Sequence, residues 1–190
     1  MQQDEVLDLF RKTGALLEGH FRLTSGLHSD RYLQSALVLQ YPEFAEALGR
    51  ELAERTRHLQ ATAVLSPALG GIVIGYEVAR SLGVRALFAE RQDGVLTLRR
   101  GFTLGAGDRV LIVEDVITTG GSTMETARVA EAFGAHVPGA AAIIDRGSGA
   151  SKLDLPLQAL VRLDVPTHQP EMCPLCARGM PVVKPGSRTV

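Results

Sequence analysis

Between residues 114 and 123 the chain places two adjacent acids, four hydroxyl side chains and a Gly-Gly step, in the run Glu114-Asp115-Val116-Ile117-Thr118-Thr119-Gly120-Gly121-Ser122-Thr123. Ionised carboxylates only accept hydrogen bonds, so Glu114 and Asp115 suit sugar hydroxyls, directly or through a hydrated divalent cation. Thr118, Thr119, Ser122 and Thr123 offer hydroxyl donors, while Gly120 and Gly121 let backbone N–H groups come close to an anion. A helix starting just beyond them would add its free N–H groups and the positive end of its dipole. A ribose 5-phosphate satisfies both halves of such a site.

These residues need a rigid frame. Val110 to Val113 is a run of four apolar residues, expected to form a central parallel strand that is buried on both faces and ends where the acids begin. Met124 to Phe133 has helical periodicity and stops at Gly134. The same order recurs upstream: a short strand at 63–65, the loop Ser66-Pro67-Ala68-Leu69-Gly70-Gly71, and a helix over 72–82 with Gly83 behind it. Ala68, Leu69, Gly70 and Gly71 thus make a second candidate anion site. A further apolar strand, 140–144, runs into Asp145-Arg146-Gly147. The loops 66–71, 114–122 and 145–149 would share the carboxyl edge of one sheet. The expected fold class is therefore α/β, a doubly wound, mostly parallel sheet flanked by helices.

The remaining elements are plainer. Residues 3–14 and 42–58 carry amphipathic helical patterns, the second with Pro42 near its start, and 84–88 and 157–163 read as strands. Residues 19–34 alternate like a hairpin around Ser25-Gly26, although their polar load is high for a solvated edge hairpin. Residues 89–102 contain Arg91, Arg99 and Arg100 around a glycine and admit a β-ribbon with surface arginines. The segment 165–190 is rich in Pro and Gly, without periodicity. A chain of 190 residues with 45% hydrophobic and 22% charged content makes one domain, divided into an N-terminal hood segment (1–40), a core (41–164) and a C-terminal cap or tail (165–190).

Composition excludes several classes. A formal net charge of −1 argues against nucleic acid or a membrane surface as partner, and the acidic N-terminus has no signal-like apolar run behind it. A cytoplasmic location is expected. Cys173 and Cys176 stand as Cys-Pro-Leu-Cys, and two cysteines alone cannot complete a four-ligand zinc site. Reduced thiols in a turn, a site shared between two copies and a site completed by His168 are all open.

Val113-Glu114-Asp115-Val116-Ile117-Thr118-Thr119-Gly120-Gly121-Ser122 resembles the phosphoribosyl-pyrophosphate signature of the type I phosphoribosyltransferases. It is neither a Walker A loop nor a dinucleotide-binding turn. Gly19 to Gln34 and Arg146 further resemble the orotate phosphoribosyltransferases. The resemblance implies transfer of phosphoribosyl from phosphoribosyl pyrophosphate to orotate, giving orotidine 5′-monophosphate and pyrophosphate in pyrimidine synthesis. It implies Mg²⁺ held mainly by pyrophosphate, ribose and water, with no direct protein ligand, and it implies a homodimer.

On this resemblance Thr118 to Thr123 hold the 5-phosphate, Glu114 and Asp115 the ribose hydroxyls, and Ala68 to Gly71, commonly with a non-proline cis peptide, the pyrophosphate. Ser25 and Gly26 lie near the pyrophosphate, Tyr32 and Leu33 near the base, which Thr118 also touches. Arg146 faces the orotate carboxylate, with a salt bridge to Asp145 or Asp154 as the structural alternative. Arg91, Arg99 and Arg100 fall in a mobile loop that closes over the reacting centre, often in the neighbouring subunit, and Arg91 joins Glu114 and Asp115 in catalysis. Thr24 replaces the lysine that many members carry before Ser-Gly. A purine phosphoribosyltransferase, or a non-catalytic nucleotide-sensing regulator, would share part of the pattern.

Overall fold

The structure is a computed structural model and describes residues 1–23, 25–147 and 153–185. Thr24, positions 148 and 149 of the third loop, and the end of the tail lie outside the described residues.

The chain opens with α1 (Gln3–Lys12), which places Asp4 and Glu5 in its first turn and Arg11 and Lys12 in its last, complementing the helix dipole at both ends. Val6, Leu7 and Phe10 form its buried stripe. An antiparallel pair follows, β1 (Leu16–Arg22) and β2 (His28–Leu33), turning through Ser25 and Gly26. A single helical turn, α2 (Ala36–Leu39), leads to α3 (Pro42–Thr56).

Next come β3 (Ala63–Pro67), α4 (Gly70–Leu82), β4 (Arg85–Gln92), β5 (Val95–Leu98), β6 (Arg109–Ile117), α5 (Gly121–Ala132), β7 (His136–Asp145) and β8 (Leu157–Arg162). The tail adds a two-residue strand, β9 (Thr167–His168), and a last turn, α6 (Pro174–Ala177).

Six strands form the main sheet in the order β5-β4-β3-β6-β7-β8, all parallel except the β4–β5 pair. From β3 the chain winds first to β4 on one side and then to β6 on the other. The switch point therefore lies between β3 and β6, where open α/β sheets leave a crevice beyond the strand ends. β1, β2 and β9 make a separate three-stranded sheet, so the first and penultimate parts of the chain meet.

Alternate residues of the central strands feed two cores. Leu111 and Val113 pack with α1, α3 and α4 on one face, while Val110 and Ile112 pack with α5 and β5 on the other. Gly49 sets the spacing of α3 and α4, because a Cβ there would lie 2.4 Å from Glu77 Cβ. Among the described residues no helix is long and apolar enough to cross a membrane.

Three local expectations are corrected. β6 does not end at the acids but continues through them to Ile117, with Glu114 paired to Ala142 and Ile117 to Asp145. The helices α4 and α5 begin at Gly70 and Gly121, so both Gly-Gly steps touch or enter a first helical turn. Residues 85–98 pair as a hairpin, the β-ribbon alternative, where the resemblance implied a loop, with Asp93 and Gly94 at positive φ in its turn.

Candidate active site

The continuation of β6 decides what its acids do. Successive residues of a strand point to opposite faces, so Glu114 and Asp115 part company. Glu114 is 9% exposed and turns toward α5, where Ser122 Oγ donates to Oε1 at 2.6 Å and Thr123 Oγ1 donates to Oε2. Its carboxylate thus fastens the first turn of α5 to the strand. Burial and, to a lesser degree, Asp115 raise its pKa, against the lowering effect of the two hydroxyls.

Asp115 turns the other way and lines a cleft of about 620 Å³. Burial raises its pKa as well. Gly70 lies against it: a Cβ at residue 70 would meet Asp115 Oδ1 at 2.7 Å. The loop after β3 and the acidic end of β6 are therefore in contact across the switch point, and the peptide Ala68–Leu69 is cis.

The cleft floor continues with Val116, Thr118 and Thr119. Gly120, at φ +77°, caps α5, whose first turn contains no acid. The N–H groups of Gly121, Ser122 and Thr123 precede the first i→i−4 bond of this helix, in which Met124 N–H donates to Gly120 O. An anion at this end would meet unfilled donors and a favourable dipole. The hydroxyls of Ser122 and Thr123, however, are spent on Glu114. Backbone donors, with Thr118 and Thr119, are what the loop offers.

Arg146 closes the third side. Its backbone N–H donates to Ile117 O at 2.9 Å, which locks the end of β7 to the end of β6. The guanidinium is half-buried, its Nε has no hydrogen-bond partner among the described residues, and burial lowers its pKa. Asp145 pairs instead with Arg162 at 3.9 Å, and Asp154 makes no ion pair with Arg146. A desolvated guanidinium without an acid calls for an anionic ligand.

The roof comes from the hood. Ser25, Tyr32 and Leu33 line the cleft, together with Leu23, Leu27, Arg31, Gln34 and Ser35. Gly26 shapes the turn at φ +85°. Val165 and Thr167 complete the wall, where Arg31 Nη1 donates to Asp164 O and Ser29 Oγ to Pro166 O. Sequence reasoning missed Arg31, Gln34, Val165 and Thr167. The tail segment has no periodicity, and only its pairing with β2 brings it to the site.

Arg91, Arg99 and Arg100 lie outside this cleft. Arg91 forks onto Glu125 of α5 at 3.2 and 2.8 Å, and Arg99 and Arg100 reach Glu90 at 3.4 and 2.8 Å. All three are about half exposed. Arg99 and Arg100 thus sit beside an acid of β4, and Arg91 beside one on α5.

The comparisons with known proteins agree with this geometry. The family model for the phosphoribosyl transferase domain matches residues 36–160. The orotate phosphoribosyltransferase of Pelotomaculum thermopropionicum is 54% identical over 190 residues, covering all of both chains, and that of Desulforamulus reducens is 51% identical over the same span. The crystal structure of orotate phosphoribosyltransferase from Aeropyrum pernix superposes with a TM-score of 0.71 at 25% identity, over 83% of this chain and 93% of that one. With relatives this similar along its whole length, and with its switch-point cleft built from the matching segments, the chain belongs to the orotate phosphoribosyltransferase family.

Proposed function

We propose that the cleft binds phosphoribosyl pyrophosphate and orotate and transfers the phosphoribosyl group, forming orotidine 5′-monophosphate and pyrophosphate. The observation that carries the choice of base is Arg146, a half-buried guanidinium whose Nε has no hydrogen-bond partner among the described residues, in a cleft that also holds Asp115, Arg31 and Gln34 among hydroxyls and apolar groups. A planar carboxylate on a flat ring fits its fork, with Tyr32 and Leu33 available to the ring.

In this reading the 5-phosphate sits on the N–H groups at the start of α5, with Thr118, Thr119 and Gly120. Ala68 to Gly71, with Ser25 and Gly26, serve the pyrophosphate. Asp115 accepts from the ribose hydroxyls, and Glu114 supports it by holding α5 in place. The new bond joins the deprotonated ring nitrogen of orotate to the anomeric carbon as the bond from that carbon to the pyrophosphate oxygen breaks. The electron pair leaves with pyrophosphate. The protein's part is alignment and stabilisation of a sugar carrying positive charge and a leaving group gaining negative charge.

Mg²⁺ suits the donor set, because Asp115 is a half-buried carboxylate on the cleft wall with no cationic side chain within ion-pair distance among the described residues. Bound mainly through substrate oxygens and water near Asp115, Mg²⁺ would supply positive charge for the leaving pyrophosphate. We also infer a cytoplasmic homodimer in which Arg91, Arg99 and Arg100, outside their own cleft, bring positive charge to the partner's.

The test is loss of orotate absorbance with phosphoribosyl pyrophosphate and Mg²⁺, with adenine, guanine, hypoxanthine and xanthine in parallel. Saturable, Mg²⁺-dependent consumption of orotate alone is expected. Turnover of a purine, or of no base, would overturn the reading.

A further inference from the structure

His20, His28, Cys173 and Cys176 converge on one point, although they come from both ends of the chain. His20 lies on β1 and His28 on β2, on either side of the hairpin turn. Cys173 caps α6 and Cys176 lies within it, three residues on, so the two Sγ atoms share one side of a helical turn. His168, the histidine considered from sequence, pairs with His28 along the strands but stands outside this group.

We propose that these four side chains form a closed structural zinc site that ties the C-terminal tail to the hood. Their ligand atoms all lie within 4.8 Å of one another. His20 Nε2 is 2.9 Å from His28 Nδ1, 3.6 Å from Cys173 Sγ and 3.7 Å from Cys176 Sγ, and Cys176 Sγ is 3.3 Å from His28 Nδ1. Tetrahedral zinc with ordinary Zn–N and Zn–S bonds spaces its ligands by roughly 3.3 Å (N–N), 3.6 Å (N–S) and 3.8 Å (S–S). The cluster is near that size before any metal draws it in.

Hydrogen bonding alone does not account for the arrangement. His20 Nδ1 is 2.8 Å from Met180 O, so it carries the proton and leaves Nε2 a single in-plane lone pair. Three groups crowd that one lone pair. The bond from Nδ1–H to a carbonyl is the outer contact that orients metal-binding histidines. Two thiolates and two imidazoles make a borderline-soft set that favours zinc, and four protein ligands leave no open position for catalysis.

Apolar burial also contributes little to holding the tail. Beyond Leu163 only Val165, Cys173 and Leu175 are buried apolar side chains among the described residues, while Met172 is 82% exposed. β9 is two residues long. So little apolar burial is a setting in which a metal supplies the missing stability.

The experiment uses the full-length protein, made without a histidine tag. Metal content is measured by mass spectrometry after purification and again after zinc supplementation and desalting. The expected result is one zinc per chain, retained by His168→Asn and lost in Cys176→Ser, whose site is the exposed member of the four. Replacement with Co²⁺ gives the visible bands of a tetrahedral site with thiolate charge transfer, and both thiols of the native protein resist alkylation until a chelator is added. No bound metal with freely titrating thiols overturns the proposal. Half a zinc per chain, or loss of zinc on His168→Asn with retention on His28→Asn, overturns it in favour of another ligand set. None of these readouts depends on turnover.

Discussion

Arg146 and Asp115 divide the chemistry of the cleft between a half-buried cation and a half-buried anion. Replacing Arg146 by Ala removes a charge-assisted fork worth about 1.5–3 kcal/mol, so KM for orotate should rise roughly 10- to 150-fold. KM for phosphoribosyl pyrophosphate should barely move. Arg146→Lys should recover little, since an ammonium cannot reproduce two parallel N–H bonds. Steady-state kinetics on both substrates check this; equal losses on both would mean that the guanidinium serves the fold. Asp115 gives the pH dependence. Its pKa is raised in the folded protein, so the fold holds this proton more tightly than the unfolded chain does. The protonated carboxyl favours the native state below the raised pKa, and that contribution is lost as pH rises through it. Catalysis needs the opposite form, because only the carboxylate accepts from two hydroxyls. The acid limb of kcat/KM for phosphoribosyl pyrophosphate should therefore lie above the ordinary aspartate value of 3.8. Asp115→Asn should remove this limb and lower kcat by about 10²-fold.

At the scale of elements, β6 is the piece to which the others refer. Its apolar half was legible in sequence, because a strand buried on both faces reads as a run of Val, Ile and Leu. Its polar half was not: acids followed by Thr and Gly look like loop, and only pairing with β7 extends the ladder to Ile117. This extension separates Glu114 from Asp115 and makes Glu114 the anchor of α5. Glu114→Ala should cost about 1.5–3 kcal/mol of stability by stranding the hydroxyls of Ser122 and Thr123. Affinity for the 5-phosphate should fall with it, while KM for orotate stays near the wild type. Chemical denaturation and ribose 5-phosphate binding measure the two effects; unchanged stability would show that the hydroxyls find other partners. The hairpin 85–98 was harder to read because an Asp-Gly turn with surface arginines fits a β-ribbon and a mobile loop equally well. Histidines eight residues apart carry no motif of their own, so His20 and His28 were silent until β1 and β2 paired.

On the scale of the whole molecule, the switch point between β3 and β6 brings the ends of β6 and β7 into one cleft floor and sets the loop after β3 against Asp115. Alternation of strands and helices made that visible from sequence. The roof followed only in part, because its far wall comes from an aperiodic tail whose strand β9 has two residues. Floor and roof also differ in what holds them. The floor rests on a continuous core beneath parallel strands, whereas the wall behind Arg31 depends on single hydrogen bonds such as those to Asp164 and Pro166. Cutting the chain after residue 164 should leave the main sheet folded, by far-ultraviolet circular dichroism, and raise KM for orotate at least tenfold. Global unfolding of this truncation would show that the tail supports the core as well.

The sheet β1-β2-β9 joins residues whose separation in the chain exceeds 130 positions, as in the bond from Ser29 to Pro166. Closing so long a stretch of chain costs entropy before any contact repays it. The phosphate end of the cleft is assembled from neighbours in sequence, and the base end from strangers. During refolding the protein should therefore pass through a period in which it grips a sugar phosphate but not yet a pyrimidine.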